Sequence, residues 1–316
     1  MPTIQEVHVD QPLSNLAVEY RNLAFIADQA CPVVMVDKKS DVYFVYSQKD
    51  RFTRPKTMRG PKDKANEVDW SVTTASYTAI DYALAEFLPD SIISNSDSPL
   101  TPRAKTVNQL QDLIIMDREI RVASLLTTAG NYGSSYKTTL TGDNQFSSGS
   151  TSDPIGVIDT GKAACFFDPN VMIMGRTVYD TLKRHPQLLD HVKGGATTGD
   201  PAKVGLQQMA ELFEVERILV GRAKYNTANK GQTASFSDIW GDYIVLAYID
   251  PAPQLIGVTA FKTFTWRQMA TELGYAVRSW RDESRGGGGE QIEVQTSYDE
   301  VCVCSDLAYL ISDTIA

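Results

Sequence analysis

Apolar residues recur at helical spacing in LSNLAVEYRNLAFIADQA, where Leu16, Leu23 and Ile26 share a side until Pro32 ends the period. The next stretch, VVMVDKKSDVYFVYS, alternates apolar with polar or aromatic residues and predicts a strand pair broken at residues 37–40. A further strand-like run, WSVTTASYTAI, leads into the acidic, apolar DYALAEFLPD, which Pro89 terminates. The clearest helix follows. Thr101 stands where a cap belongs, Pro102 takes the first helical position, and only Thr106 and a few β-branched residues weaken propensity up to about Thr128. At 1.5 Å per residue such a rod is roughly 40 Å long. Leu113, Met116, Ile120 and Ala123 mark one stripe and Val107, Leu110 and Ile114 another. The rod is therefore expected to be buried on more than one side, as a spine against which a sheet packs.

Residues 130–152 are dominated by Gly, Ser and Thr, and they read as the boundary between an outer and an inner subdomain. Beyond them the pattern predicts a helix near 155–165, a strand near 171–174, a helix over 176–185 stopped by Pro186, a helix around 204–212 and a strand at 217–220. That alternation describes a compact α/β module. Strands near 242–249 and 258–267 come next, and several short β runs after residue 271 predict an antiparallel sheet closing the fold. Residues 130–152 and the run Gly286 to Gly289 are expected to be tips or hinges, because Gly and Ser ease changes of curvature. No internal repeat of about 20 to 50 residues is visible.

Residues 48–70, QKDRFTRPKTMRGPKDKANEVDW, contain two prolines, one glycine and almost no aliphatic side chain to bury. Lys49, Arg51, Arg54, Lys56, Arg59, Lys62 and Lys64 stand there against Asp50 and Asp63, a local charge of +5 in a chain of net charge −9. Such an excursion is either a solvated face or a segment that wants an acidic partner, which further copies of the same chain can supply. Glu86, Asp90, Asp97, Asp112, Asp117 and the pair Asp282 and Glu283 are the candidate acids. The overall acidity argues against direct gripping of duplex phosphates. With 316 residues, 42% apolar and 22% charged, the chain has the make-up of an ordinary globular protein with one large or two intertwined cores.

Candidate chemistry is sparse. Gly156 to Ala163 comes close to the phosphate-cradling G-x-x-x-x-G-K-[ST] loop, but Ala163 replaces the metal-binding hydroxyl and the loop interior is aliphatic, so an ordinary helix is expected. His185 and His191 flank Pro186 at a spacing that fits no zinc pattern. Cys302 and Cys304 fall on one face of a strand, which places them in a core rather than at a metal, and with Cys31 and Cys165 they form no dense framework, suiting a reducing compartment. Ser134 and Lys137 match S-x-x-K only in a Ser-rich stretch without the required scaffold. Trp70, Trp240, Trp266 and Trp280 are candidates for interface anchors or for core duty. No catalytic residue, cofactor or metal is expected. The start, MPTIQEVHVD, lacks a signal-like pattern and the longest apolar run, residues 243–249, is far too short for a bilayer, so no membrane role and a cytosolic product are expected.

The order of parts resembles the major capsid proteins of tailed bacteriophages, with their Hong Kong 97-type α+β fold. Three stretches carry the likeness: LSNLAVEYRNLAFIADQACPVVMV, MIMGRTVYDTLKRHPQLLDHV and WGDYIVLAYIDP. The resemblance implies an N-terminal arm at 1–45, an extended β-hairpin loop at 46–80 and a peripheral domain at 81–154 with spine helix 102–128. It further implies an α/β axial domain at 155–255 and closing strands of the peripheral domain at 256–316. It implies a structural, non-enzymatic subunit that assembles into hexamers and pentamers of an icosahedral shell, made in the bacterial cytoplasm and ending in the virion. The shell would enclose double-stranded DNA without sequence-specific binding, and an acidic lining would not compete for phosphates. Inter-subunit contact would fall to Lys49, Arg51, Arg54, Lys56, Arg59, Lys62 and Lys64 of the extended loop. No long charged scaffolding segment precedes Leu13, so scaffolding, portal and decoration proteins would be separate partners. No loop lysine is singled out for covalent chaining of subunits. An encapsulin-like compartment shares this fold, and a nucleotide-using α/β enzyme built on 155–250 is the rival from another class.

Overall fold

The computed structural model describes residues 25–46, 52–69, 71–95, 101–149, 151–193, 204–229, 231–252, 254, 257–268 and 274–316. The first part of the expected arm, residues 1–24, lies outside them. A short helix α1 (Ala27–Ala30) precedes strands β1 (Val33–Val36), β2 (Ser40–Tyr46), β3 (Val72–Thr78) and β4 (Ile80–Pro89). Helix α2 (Asp90–Ser94) and the spine α3 (Pro102–Thr127) lead to β5 (Lys137–Thr139), α4 (Pro154–Ala164) and β6 (Val171–Gly175). Then come α5 (Arg176–Leu182), α6 (Pro186–Lys193), α7 (Leu206–Leu212), β7 (Arg217–Gly221), β8 (Lys224–Asn226) and β9 (Phe236–Asp238). The chain closes through β10 (Ile244–Ala247), β11 (Phe261–Trp266), β12 (Ala276–Asp282), β13 (Gly289–Cys302) and β14 (Ala308–Ser312).

Two five-stranded sheets organise the core. In the first, the long β13 pairs with β4 along one side and with β12 and then β11 along the other, while β1 lies parallel to β11. The second has the order β5-β14-β10-β6-β7. Its strands β6, β10 and β14 are buried at every residue, as expected where a sheet is covered on both faces. Met172, Met174, Leu246 and Ile311 face a core with Ile158 of α4, Val178 and Leu182 of α5, Leu188 of α6 and Met209 of α7. Val171, Ile173, Val245 and Leu310 face the opposite core with Val122, Ala123 and Leu126 of α3.

The spine therefore serves both sheets. Its first half sets Val107, Leu110 and Ile114 against Leu88, Val277, Ile292 and Val294 of the first sheet. The expected stripe of Val107, Leu110 and Ile114 continues through Gln111, Arg118, Glu119, Val122 and Leu126 as a single buried face. The other stripe is corrected at Leu113, which stays 48% exposed. Helical period alone cannot tell a core-facing stripe from an apolar outer one.

Further expectations change in the same way. Strands do form on either side of residues 37–39, but β1 pairs with β11 and β2 with β3, not with each other. Pro186 opens α6 rather than merely stopping α5, consistent with its tolerance in a first helical turn. Residues 130–152 are no loose boundary: β5 runs parallel to β14, Phe146 donates its N–H to Thr314, and Tyr132, Leu140 and Phe146 are buried. Backbone pairing with the C-terminal strand holds this Gly/Ser-rich stretch on the second sheet. The closing strands divide likewise, with β11 to β13 in the first sheet and β14 in the second. The glycine run is the turn of the β12–β13 hairpin, with positive φ at Gly287 and Gly288. A Cβ on Gly289 would lie 2.5 Å from the Leu88 carbonyl oxygen, so close backbone approach explains that glycine rather than hinge motion.

Candidate assembly surfaces

The β2–β3 ribbon carries the basic excursion away from the first sheet. Its base is built from local chemistry: Lys39 Nζ reaches Asp81 at 2.6 Å, and Tyr77 stacks on Phe264 of β11 with centroids 4.5 Å apart. Val36 and Phe264 complete that small core. Farther out, Phe44 is 66% exposed and Val42 and Val72 are also exposed, an apolar surface on a strand pair that its own subunit leaves uncovered.

Arg54, Lys56, Arg59, Lys62 and Lys64 are all exposed, and among the described residues no ion pair engages them. Lys49 and Arg51 lie outside the described residues. Local order comes from a turn, with Asp63 donating its N–H to Gly60 at 3.2 Å, and from the Asn66 side chain donating to the Lys56 carbonyl. Of the acids considered as partners, Asp90 is engaged by Arg281 at 2.9 Å, Asp117 by Arg121, Glu283 by Arg281 and Asp282 by Arg285 within the same chain. Glu86 is exposed on β4, Asp112 is half-buried, and Asp97 lies outside the described residues.

The arm is anchored on the spine helix. Glu119, fully buried on the spine, accepts from Ile26 N at 3.1 Å, from Ala27 N at 2.8 Å and from Trp240 Nε1 at 2.6 Å. Burial pushes its carboxyl up from the usual range, while those donors pull it down. Beside it, Arg118 pairs with Asp28 and donates to Thr263 Oγ1 at 3.3 Å. One turn on, Arg121 lies 3.9 Å from the Tyr82 ring and pairs with Glu300 at 3.3 Å, while Tyr82 stacks on Tyr298. Arg118, Glu119 and Arg121 thus tie the arm, the loop before β10 and strands β4 and β13 to one helix. The sequence signal was the cluster DREIR inside an otherwise apolar face.

The near-match to a phosphate loop is a continuous helix. Asp153 caps it by accepting from Gly156 N at 2.9 Å, and Lys162 pairs with Glu214 at 2.9 Å. A Cβ on Gly161 would meet Tyr309 at 2.9 Å, so that glycine lets α4 lie on the sheet. Trp240 serves the core, and burial pushes the thiols of Cys31, Cys165 and Cys302 up to about 12, which keeps them protonated. Among the described residues no group of His, Cys, Asp and Glu could hold a metal, and no helix is long and apolar enough to cross a membrane.

No family model matches the sequence. The major capsid protein of Pseudomonas phage JBD67 is 31% identical over 310 residues, covering 98% of this chain and 97% of that protein. The major capsid protein of Burkholderia phage BcepMu is 34% identical over 251 residues, 76% of each. Among solved structures, a phage-related protein of Bordetella bronchiseptica RB50 superposes with a TM-score of 0.74 at 22% identity over 98% of both chains. The SrpI encapsulin of Synechococcus elongatus is more distant, with a TM-score of 0.53 at 11% identity over 89% of this chain and 84% of that one.

Proposed function

Because the chain belongs to the phage major capsid proteins and has their Hong Kong 97-type fold, we propose that it closes an icosahedral shell of hexamers and pentamers through the basic loop between β2 and β3. The chain is a structural subunit that self-assembles into a virion capsid. In this reading the first sheet with α3 is the peripheral domain, the second sheet with α4 to α7 is the axial domain, and β5 and β14 belong to the latter. Lys49, Arg51, Arg54, Lys56, Arg59, Lys62 and Lys64 then meet acidic surface on neighbouring copies. Many weak contacts repeated around a closed lattice stabilise it by avidity. The observation that carries the reading is the row of exposed cations, from Arg54 to Lys64, that their own subunit leaves without ion pairs among the described residues.

The enclosed cargo is double-stranded DNA, held without sequence recognition inside a shell whose subunits carry a net charge of −9. Scaffolding, portal and decoration proteins act as separate partners, and assembly takes place in the host cytoplasm. Exposed ion pairs contribute only about 0.2 to 1 kcal/mol each, so single charge reversals do little and several together matter. Changing Arg51, Arg54, Lys56 and Arg59 to Glu should leave circular dichroism and melting of the subunit unchanged while abolishing shells in electron micrographs. High salt should weaken native shells in the same direction. Normal shells from the four-fold variant would remove the loop from the assembly mechanism.

A further inference from the structure

Four aromatic rings form a chain on the surface of the second sheet's domain. Phe52 meets Phe166 edge-on with centroids 4.8 Å apart, Phe166 meets Phe167 at 5.1 Å, and Phe167 meets Tyr248 at 5.8 Å. The last three rings form a fixed shelf. Phe166 and Phe167 follow α4 one residue after its end, past Cys165, and Phe166 N donates to the Asp306 carbonyl at 3.0 Å. Tyr248 follows β10 and is held on both sides, donating to Leu307 and accepting from Ala260, each at 2.9 Å. Phe52 belongs instead to the basic loop, where every described residue from 52 to 69 except Gly60 is exposed.

The contact is unfinished within one chain. Phe52 keeps 62% of its surface exposed, while Phe166 and Phe167 keep 38% and 39%. The shelf also carries acid, with exposed Asp168 next to Phe167 and half-buried Asp306 under Phe166, whereas Phe52 is followed by Arg54 and Lys56. Basic residues thus follow the ring on one side, and acidic residues adjoin the rings on the other.

We propose that this shelf is the receptor for Phe52 of a neighbouring copy, and that the contact within one chain is the same contact made before assembly. The proposal rests on the shell reading and names the partner of the loop. In a closed ring each subunit gives up one internal contact and receives an equivalent one from its neighbour, so the exchange costs little, as in domain swapping. Phe52 stands six residues beyond Tyr46, so it reaches up to about 20 Å past the end of the β2–β3 ribbon, toward an adjacent subunit.

The test uses full-length chains with Cys165→Ser, because Cys165 adjoins the shelf. Shells co-assembled from Phe52→Cys and Phe166→Cys subunits are treated with a short bis-maleimide and run on denaturing gels. Cross-linked dimers in the mixed shells, absent from shells of either variant alone, are expected. The double variant should cross-link within one chain when unassembled and between chains in shells. Intact mixed shells without dimers, with the double variant still linking only within one chain, would overturn the exchange while leaving the shell reading standing. Failure of the native chain to form shells overturns both. If a cysteine variant does not fold, tracing the loop in density maps of native shells to its own or the next shelf decides the same question.

Discussion

Replacing Glu119 with Ala should do more damage than any surface substitution, because one carboxylate satisfies donors from two other parts of the molecule. Ile26 N, Ala27 N and Trp240 Nε1 would all face an apolar void. Each buried donor left unpaired costs about 1–3 kcal/mol, so the simple sum exceeds what this segment can bear. Release of residues 25–31 from the spine limits the loss, since the freed amides then reach water. The expected net destabilisation is about 3–5 kcal/mol, shared between detachment of the arm and the unpaired indole. Glu119→Gln keeps one acceptor oxygen but turns an N–H toward a donor, so a smaller loss of about 1.5–3 kcal/mol is expected. Urea unfolding of the unassembled subunit gives the magnitude, and amide hydrogen exchange at Ile26 and Ala27 shows whether the arm has come away. Alanine within about 0.5 kcal/mol of native, or unchanged exchange at those amides, would refute the reasoning.

Gly221→Ala should act through the same anchor: its Cβ would fall 2.0 Å from the Trp240 ring, so the indole must move off Glu119, seen as altered tryptophan fluorescence and faster exchange at Ile26. Gly289→Ala should unfold the subunit more readily by about 1–3 kcal/mol in urea, because the new methyl meets the Leu88 carbonyl and the Phe87 ring; a purely assembly-level defect would restore the hinge role. His185 is buried with its charge disfavoured, so its folded pKa lies below 6.5. As pH falls below 6.5 the unfolded chain takes up a proton that the folded chain refuses, and stability drops until the folded pKa is reached. His185→Gln should flatten that part of the profile, measured as the difference between native and variant unfolding from neutral to mildly acid pH.

The spine and the α/β alternation were legible because each rests on local signals: Pro102 at a helix start, all-apolar strands such as VMIMG, and helices separated by Pro and Gly. Partner choice was not. Nothing in VVMV says that it runs parallel to FKTFTW far along the chain, or that AYLIS leaves the preceding strands for the other sheet. Both facts follow from which faces remain to be covered once the spine has docked. Residues 130–152 misled because Gly and Ser usually mark loops, whereas here single anchors, Phe146 and Leu140, decide their place. Composition alone located the basic loop. The aromatic shelf stayed hidden, since FF at 166–167 reads as ordinary core until both rings are seen half-exposed.

The most direct test is electron cryomicroscopy of the full-length chain, expressed alone or with its scaffold. The account predicts closed shells of megadalton mass in which the loop between Tyr46 and Val72 lies across an adjacent subunit. A monodisperse monomer at high concentration, with that loop and residues 1–24 protected from protease, would contradict it.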